Sequence, residues 1–228
     1  KELLYGTYVC GSSRSGKTVY QNHLVTQLIA QGVPFTLLDL EGSTFDLALQ
    51  HFAAIGDPDR VVVIDPANPD WVTPFNLLAQ TAHSRFTAVE GVIEAMKQAW
   101  SDALGFGAAR AEDVMRSSFL LLAEFGLSFH ELDDLFLDEE LCRAMAAKSA
   151  ETGSIRFLTD YRDMLTKPKF REIIESVRNK VSALNASPYL GPMFGASTCF
   201  DHLFHVEQSR TVLVRLDKSV LRDQLSLF

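Results

Sequence analysis

Cysteine is scarce. Cys10, Cys142 and Cys199 are the only three in 228 residues, too few and too far apart for a disulfide framework, which excludes the stapled secreted scaffolds and points to a reducing cytoplasm. Basic charge is short as well, with 21 Lys and Arg against 29 Asp and Glu and a formal net charge of −8. A surface built as a nucleic-acid footprint is normally basic, so any contact with DNA has to come from a few local loops. No apolar run approaches the ~20 residues of a membrane helix. The start carries no basic, apolar, small-residue signal peptide. Internal repeats and low-complexity tracts are missing too, so neither a solenoid nor a linker describes the chain. It opens on Lys1 without a methionine and is therefore expected to be a piece of a longer protein, with any attachment to the inner membrane made by segments outside this stretch.

What is present begins almost at once. Gly11-Ser12-Ser13-Arg14-Ser15-Gly16-Lys17-Thr18 is a complete G-x-x-x-x-G-K-[ST] phosphate-binding pattern. A polyphosphate has to be wrapped by backbone N–H groups, and glycines at the turns remove side chains that would hold the backbone away. Lys17 then brings an ammonium to the β and γ phosphates, the Thr18 hydroxyl is the expected Mg²⁺ ligand, and the helix N-terminus adds amide dipoles of the right sign. The flanks fit: 3–10 reads as a buried strand, and Thr18 to Ala30 as a helix with Tyr20, Leu24 and Leu28 beside Val25 and Ile29, ending near Gly32.

With 47% hydrophobic residues the chain can bury a large core. Pro34 to Gly42 is an apolar run ending in Asp39 and Glu41, followed by a helix over 44–54 and a β-branched run, Val61-Val62-Val63-Ile64, before Asp65-Pro66. Strand and helix alternate as in a doubly wound parallel sheet, whose ligands sit at the carboxyl ends of the strands. That places Asp39, Glu41 and Asp65 on the edge of the phosphate loop. Each reads either as a carboxylate that orders Mg²⁺ or water, or as a strand-end acid starting a turn; Asp39 is the better candidate. After an irregular stretch from Trp71 to Leu78 the texture is helical, with expected segments at 84–100 (capping box Thr87 and Glu90), 110–125, one opened by Ser128 and Glu131, and 139–149, 155–166 and 170–185. A last strand is expected over 210–216. The division is 1–83 as the nucleotide-binding α/β part, 84–186 as an all-helical insertion and 187–228 as the return to the sheet.

Three weaker patterns need weighing. Leu135-Phe136-Leu137-Asp138-Glu139 imitates the apolar strand with Asp-Glu found in many ATPases, but Leu132, Leu135, Phe136 and Leu141 fit helix faces better. Cys199, Asp201, His202, His205 and Glu207 are clustered without a zinc-site spacing, so core and surface roles are favoured over a metal. Gly105-Phe106-Gly107 delivers Arg110 to a helix start, where positive charge opposes the dipole. Its partner is read as Glu112, Glu124 or a phosphate.

Together these stretches resemble the HerA–FtsK superfamily of P-loop motor ATPases, in its HerA-like and type IV secretion coupling-protein branch. The resemblance runs through the phosphate loop, Leu38-Asp39-Leu40-Glu41-Gly42, Asp65-Pro66 with Pro74-Phe75-Asn76-Leu77, Gly107 to Glu112, and Val212 to Leu216. Glu41 stands where the family has lysine, and Arg14 near a usual glycine. The resemblance implies a RecA-like P-loop NTPase sheet with a large helical insertion, with the Walker B strand expected beyond Phe228. It also implies ATP and Mg²⁺ as cofactors and a homohexamer that moves DNA, through pore loops, or a secreted substrate, with a secretion or nuclease protein as partner. Lys17, Asp39 and Glu41 are then the catalytic candidates, Gly11 to Thr18 and Arg110 the nucleotide contacts, and Thr18 the metal ligand. A nucleotide-gated scaffold without efficient hydrolysis is the alternative, and a small-molecule or nucleotide kinase the weaker third.

Overall fold

Three short runs rich in valine, isoleucine and leucine make the sheet of this computed structural model, which describes residues 6–68, 70–79, 84–100, 109–150, 168–217 and 221. They are β1 (Thr36–Asp39), β2 (Val61–Ile64) and β3 (Thr211–Arg215), all parallel in the order β1-β3-β2. The strand latest in sequence is thus the central one. Leu37 and Val63 both stand opposite Leu213 across it, and Asp39 opposite Arg215. The described residues fall into two compact units, one within Lys1–Asp65 and His202–Arg222, the other within Pro66–Asp201.

In the first unit, α1 (Lys17–Ala30) and α2 (Ser43–Ile55) pack on the same face of the sheet. Val25 and Ile29, four residues apart, form the buried stripe of α1, while Phe45, Ala48 and Phe52 form that of α2. Together with Leu37 and Leu213 they make one apolar cluster, flanked by Phe35, Val61 and Val63. Strand alternation explains the choice: residues 35 and 37, 61 and 63, and 213 share one side of the pleat. α1 stops at a Schellman turn, in which Val33 N–H reaches Leu28 O at 2.9 Å and Gly32 N–H reaches Ile29 O at 3.1 Å. A short helix, which we number α9 (His202–Glu207), lies against β3.

One expectation needs correction here. Residues 6–10 are exposed coil rather than a buried strand, Tyr8 being 91% exposed; residues 3–5 lie outside the described ones. An apolar run becomes a strand only where a neighbour accepts its ladder, and among the described strands none pairs with 6–10. The doubly wound pattern predicts helices on both faces: α1 and α2 share one, and α9 lies on the other, where its His202 bonds Thr36.

The second unit is helical: α3 (Arg85–Trp100), α4 (Ala109–Glu124), α5 (Leu132–Leu137), α6 (Glu139–Lys148), α7 (Pro168–Asn185) and α8 (Gly191–Phe194). Its centre is α4, whose Val114, Met115, Phe119, Leu121 and Leu122 are at most 2% exposed. Phe119 meets Phe129 edge-on at 5.0 Å. Ser128 and Glu131 form the expected capping box. The start of α3 differs from expectation, because Thr87 N–H is capped by Ser84 Oγ at 3.2 Å and Glu90 instead pairs with Arg116 of α4. Segment 155–166 lies outside the described residues. Phe75 and Cys199 form an antiparallel bridge, and Asn76, 1% exposed, holds Leu127 O and Leu78 N–H.

Leu213 is fully buried under both helices, and Leu38 is 64% exposed on the edge strand. Leu213→Ala is expected to cost about 2–5 kcal/mol in denaturant unfolding, and Leu38→Ala less than about 0.5 kcal/mol.

Candidate functional site

The phosphate-loop pattern folds as an open turn. Gly11 to Gly16 are all exposed, and the chain bends through left-handed residues at Arg14 (φ 66°) and Gly16 (φ 91°). Gly16 is the N-cap of α1 and suits that conformation; Arg14 tolerates it at a cost of about 1–3 kcal/mol. A side chain at position 11 would collide with the Ser15 hydroxyl. Lys17, on the first turn of α1, folds back so that its Nζ donates to Gly11 O and Ser12 O, both at 2.8 Å. The first turn of α1 holds no acidic residue, and no side chain caps it. Its first N–H groups thus have no side-chain partner and face solvent, in the position where a helix N-terminus can accept an anion.

Beside the loop lies a cleft of about 550 Å³. Lys17, Thr18, Gln21 and Leu24 of α1 form one wall, with Leu38, Asp39, Leu40, Glu41, Ser43 and Thr44 at the β1–α2 junction as another. Of the residues expected at the carboxyl edge, the cleft gathers Lys17, Thr18, Asp39 and Glu41. Asp65 follows the last residue of β2 and is not among the lining residues.

Asp39 is 7% exposed, and both its oxygens are engaged: Oδ1 accepts Glu41 N–H at 2.9 Å and Oδ2 accepts Phe45 N–H at 2.8 Å. Burial pushes its pKa up, but the backbone N–H groups of Glu41, Phe45, Gly42 and Thr44 outweigh this and hold it below the ordinary 3.8. The carboxylate therefore caps α2, whose preceding Gly42 has no side chain to do so. Glu41 and Ser43 are both exposed and both line the cleft.

Arg110 lies in the first turn of α4, but its side chain and residues 101–108 fall outside those described. Of the protein partners expected for it, Glu112 pairs with Lys97 at 3.3 Å and Glu124 accepts Ala150 N–H at 2.8 Å. The Asp-Glu look-alike belongs to helices: Leu135 and Phe136 are buried on α5, and Asp138 Oδ1 caps α6 through Glu140 and Leu141 N–H at 2.9 Å. Leu141, at 38% exposed, does not share that buried face. His202 Nε2 bonds Thr36 Oγ1 at 2.9 Å, and His205 Nδ1 lies 3.4 Å from Arg210 Nη1. Burial, with Glu139 and Asp138, pushes Cys142 up to about 11, which leaves an inert thiol.

Sequence reasoning missed the parts that build the far wall. Thr44 Oγ1 donates to Asn22 Oδ1 at 2.8 Å, tying α2 to α1, and Arg215 reaches Asp46 at 3.3 Å. Gly42-Ser43-Thr44 is a helix-start signal and Arg215 a charge ending an apolar strand; both were visible as residues but not as neighbours.

The donor set suits the cofactors that the resemblance implies. Thr18, Ser43 and Glu41 offer only hard oxygen atoms, which suit Mg²⁺, an ion that takes one or two carboxylates with phosphate and water. Among the described residues no group of three or more His, Cys, Asp or Glu is arranged to hold a metal alone. No protein-family model, curated protein or solved structure matches this chain.

Because the folded pKa of Asp39 is depressed, its stabilisation is complete above the unfolded value of 3.8 and drains away as pH falls through the lower folded value. Asp39→Asn should cost about 1.5–3 kcal/mol at neutral pH. The gap between wild type and variant, followed by urea unfolding against pH, should stay constant above about pH 5 and close below it.

Proposed function

We propose that the chain is the ATP-binding, ATP-hydrolysing core of a P-loop motor with a RecA-like sheet. The observation that carries this is the uncapped N-terminus of α1, with an exposed glycine loop before it and Lys17 and Thr18 lining the cleft beside that loop. In this reading the loop amides and the helix dipole bind the phosphates. Lys17 leaves its two carbonyls to stabilise charge developing on the transferred phosphoryl group. Thr18 and Glu41 hold Mg²⁺, which when bound neutralises charge on the phosphate oxygens. Glu41 orients water from the opposite wall, and Asp39 keeps that wall in place. Assembly as a hexamer that moves DNA or a secreted substrate rests on the resemblance in sequence. Arg110 is the proposed further nucleotide contact.

One observation favours the second reading, a nucleotide-gated assembly module without efficient hydrolysis. Both oxygens of Asp39 are taken by backbone N–H groups, leaving Glu41 as the free carboxylate of the candidate pair. Mass measurement with and without MgATP separates the two readings when combined with turnover: a motor hydrolyses, whereas a scaffold changes size without turnover.

Lys17→Ala should weaken MgATP binding at least tenfold by calorimetry and shift unfolding stability by less than about 0.5 kcal/mol, as befits a surface site. Equal affinity in the two proteins would reject the assignment.

A further inference from the structure

The turn between β1 and α2 supplies Leu40, Glu41, Ser43 and Thr44 to the cleft, and Arg215 grips it from the sheet side. Arg215 ends β3, directly opposite Asp39 on β1. Its guanidinium meets Asp46 Oδ1 on the first turn of α2 at 3.3 Å and Asp217 Oδ2 at 3.5 Å, and lies 5.6 Å from the centroid of the Phe45 ring. It also fills the space beside Gly42, where a Cβ would stand 3.1 Å from Nη2. Gly42 is left-handed at φ 84°, a conformation that favours glycine. A cation beside a helix N-terminus works against the dipole, and here Asp46 and Asp217 offset it. The Arg215 geometry suits a clamp, because pairing, stacking and filling at once require the planar fork of arginine.

Arg215 is not among the residues lining the cleft, so it acts on the site through the turn. We infer that Arg215 is a positioning residue for metal-dependent nucleotide binding, holding Glu41 and Ser43 across the cleft from Lys17 and Thr18. The inference rests on the nucleotide reading above. Phosphates need only the loop and Lys17. A hydrated Mg²⁺ on those phosphates also needs oxygen donors on the facing wall. Loosening the clamp should therefore remove the benefit of the metal and leave metal-free binding intact.

The test compares the dissociation constant for ATP with Mg²⁺ and in EDTA, alongside the melting midpoint. Arg215→Met should lose at least fivefold of the Mg²⁺-dependent gain in affinity, with the EDTA value within twofold of wild type. Arg215→Lys, which keeps the charge but not the fork, should fall between. Arg143→Met, which breaks an exposed pair with Glu139 on α6, should leave both constants unchanged. An equal loss with and without metal would make Arg215 merely structural and overturn the inference, as would an unaltered Mg²⁺ gain in both Arg215 variants. A wild-type protein that binds ATP with no Mg²⁺ gain would overturn it while sparing the nucleotide reading; one that binds no ATP would end both.

Discussion

The carboxylate of Asp39 is the constraint on which the sheet-bearing unit of the molecule turns. It sits at the end of β1, is almost wholly buried, and accepts backbone N–H groups from the turn and from the first turn of α2. A buried charge is tolerable only when hydrogen-bonded this fully, so its burial and the shape of the turn require each other. Asp39 O also accepts Leu216 N–H at 2.8 Å, carrying the parallel pairing one residue past the strand. The same residue therefore fixes β1 against β3 and α2 against β1. Thr44, held beside it, extends the constraint to α1 through Asn22.

This arrangement makes the two helix N-termini at the cleft unequal. α2 begins there with Asp39 at its amides and Asp46 in its first turn, and α1 begins there with neither a cap nor an acid. Two aligned dipoles would each attract an anion, but the positive end of α2 is already neutralised from within. α1 alone remains receptive, and it is the helix that carries Lys17.

Most helices were legible in the sequence because their signals are local. Val25 and Ile29, the Ser128 and Glu131 box, and the Leu132, Leu135 and Phe136 stripe each mark a helix without knowledge of its neighbours. The β runs at 36–39, 61–64 and 211–215 were legible for the same reason. What could not be read was pairing. Leu4 to Cys10 looks as apolar as β2, yet residues 6–10 join no ladder, because strand formation depends on a partner that composition does not name. The central place of β3 was hidden likewise, some 150 residues of chain separating it from β2. At the site the glycine pattern gave the loop and Lys17 directly, whereas Arg215 against Gly42 joins residues far apart in sequence and close only in the fold.

The state of Lys17 bears on how such a loop would bind. Its ammonium is not free: two main-chain carbonyls hold it at 2.8 Å. Binding a phosphate there exchanges two charge-to-dipole hydrogen bonds for charge-to-charge ones, which are the stronger, so the net gain is the difference and not the whole contact. The uncapped amides of α1 give up no protein partner of their side-chain cap, since none exists, and exchange only water. Recognition of phosphate would then be divided unevenly, with the amides fixing where the anion sits and Lys17 adding discrimination in favour of high charge. Folding the ammonium onto the loop also supports the left-handed turns at Arg14 and Gly16 before any ligand arrives, which lowers the ordering cost of binding.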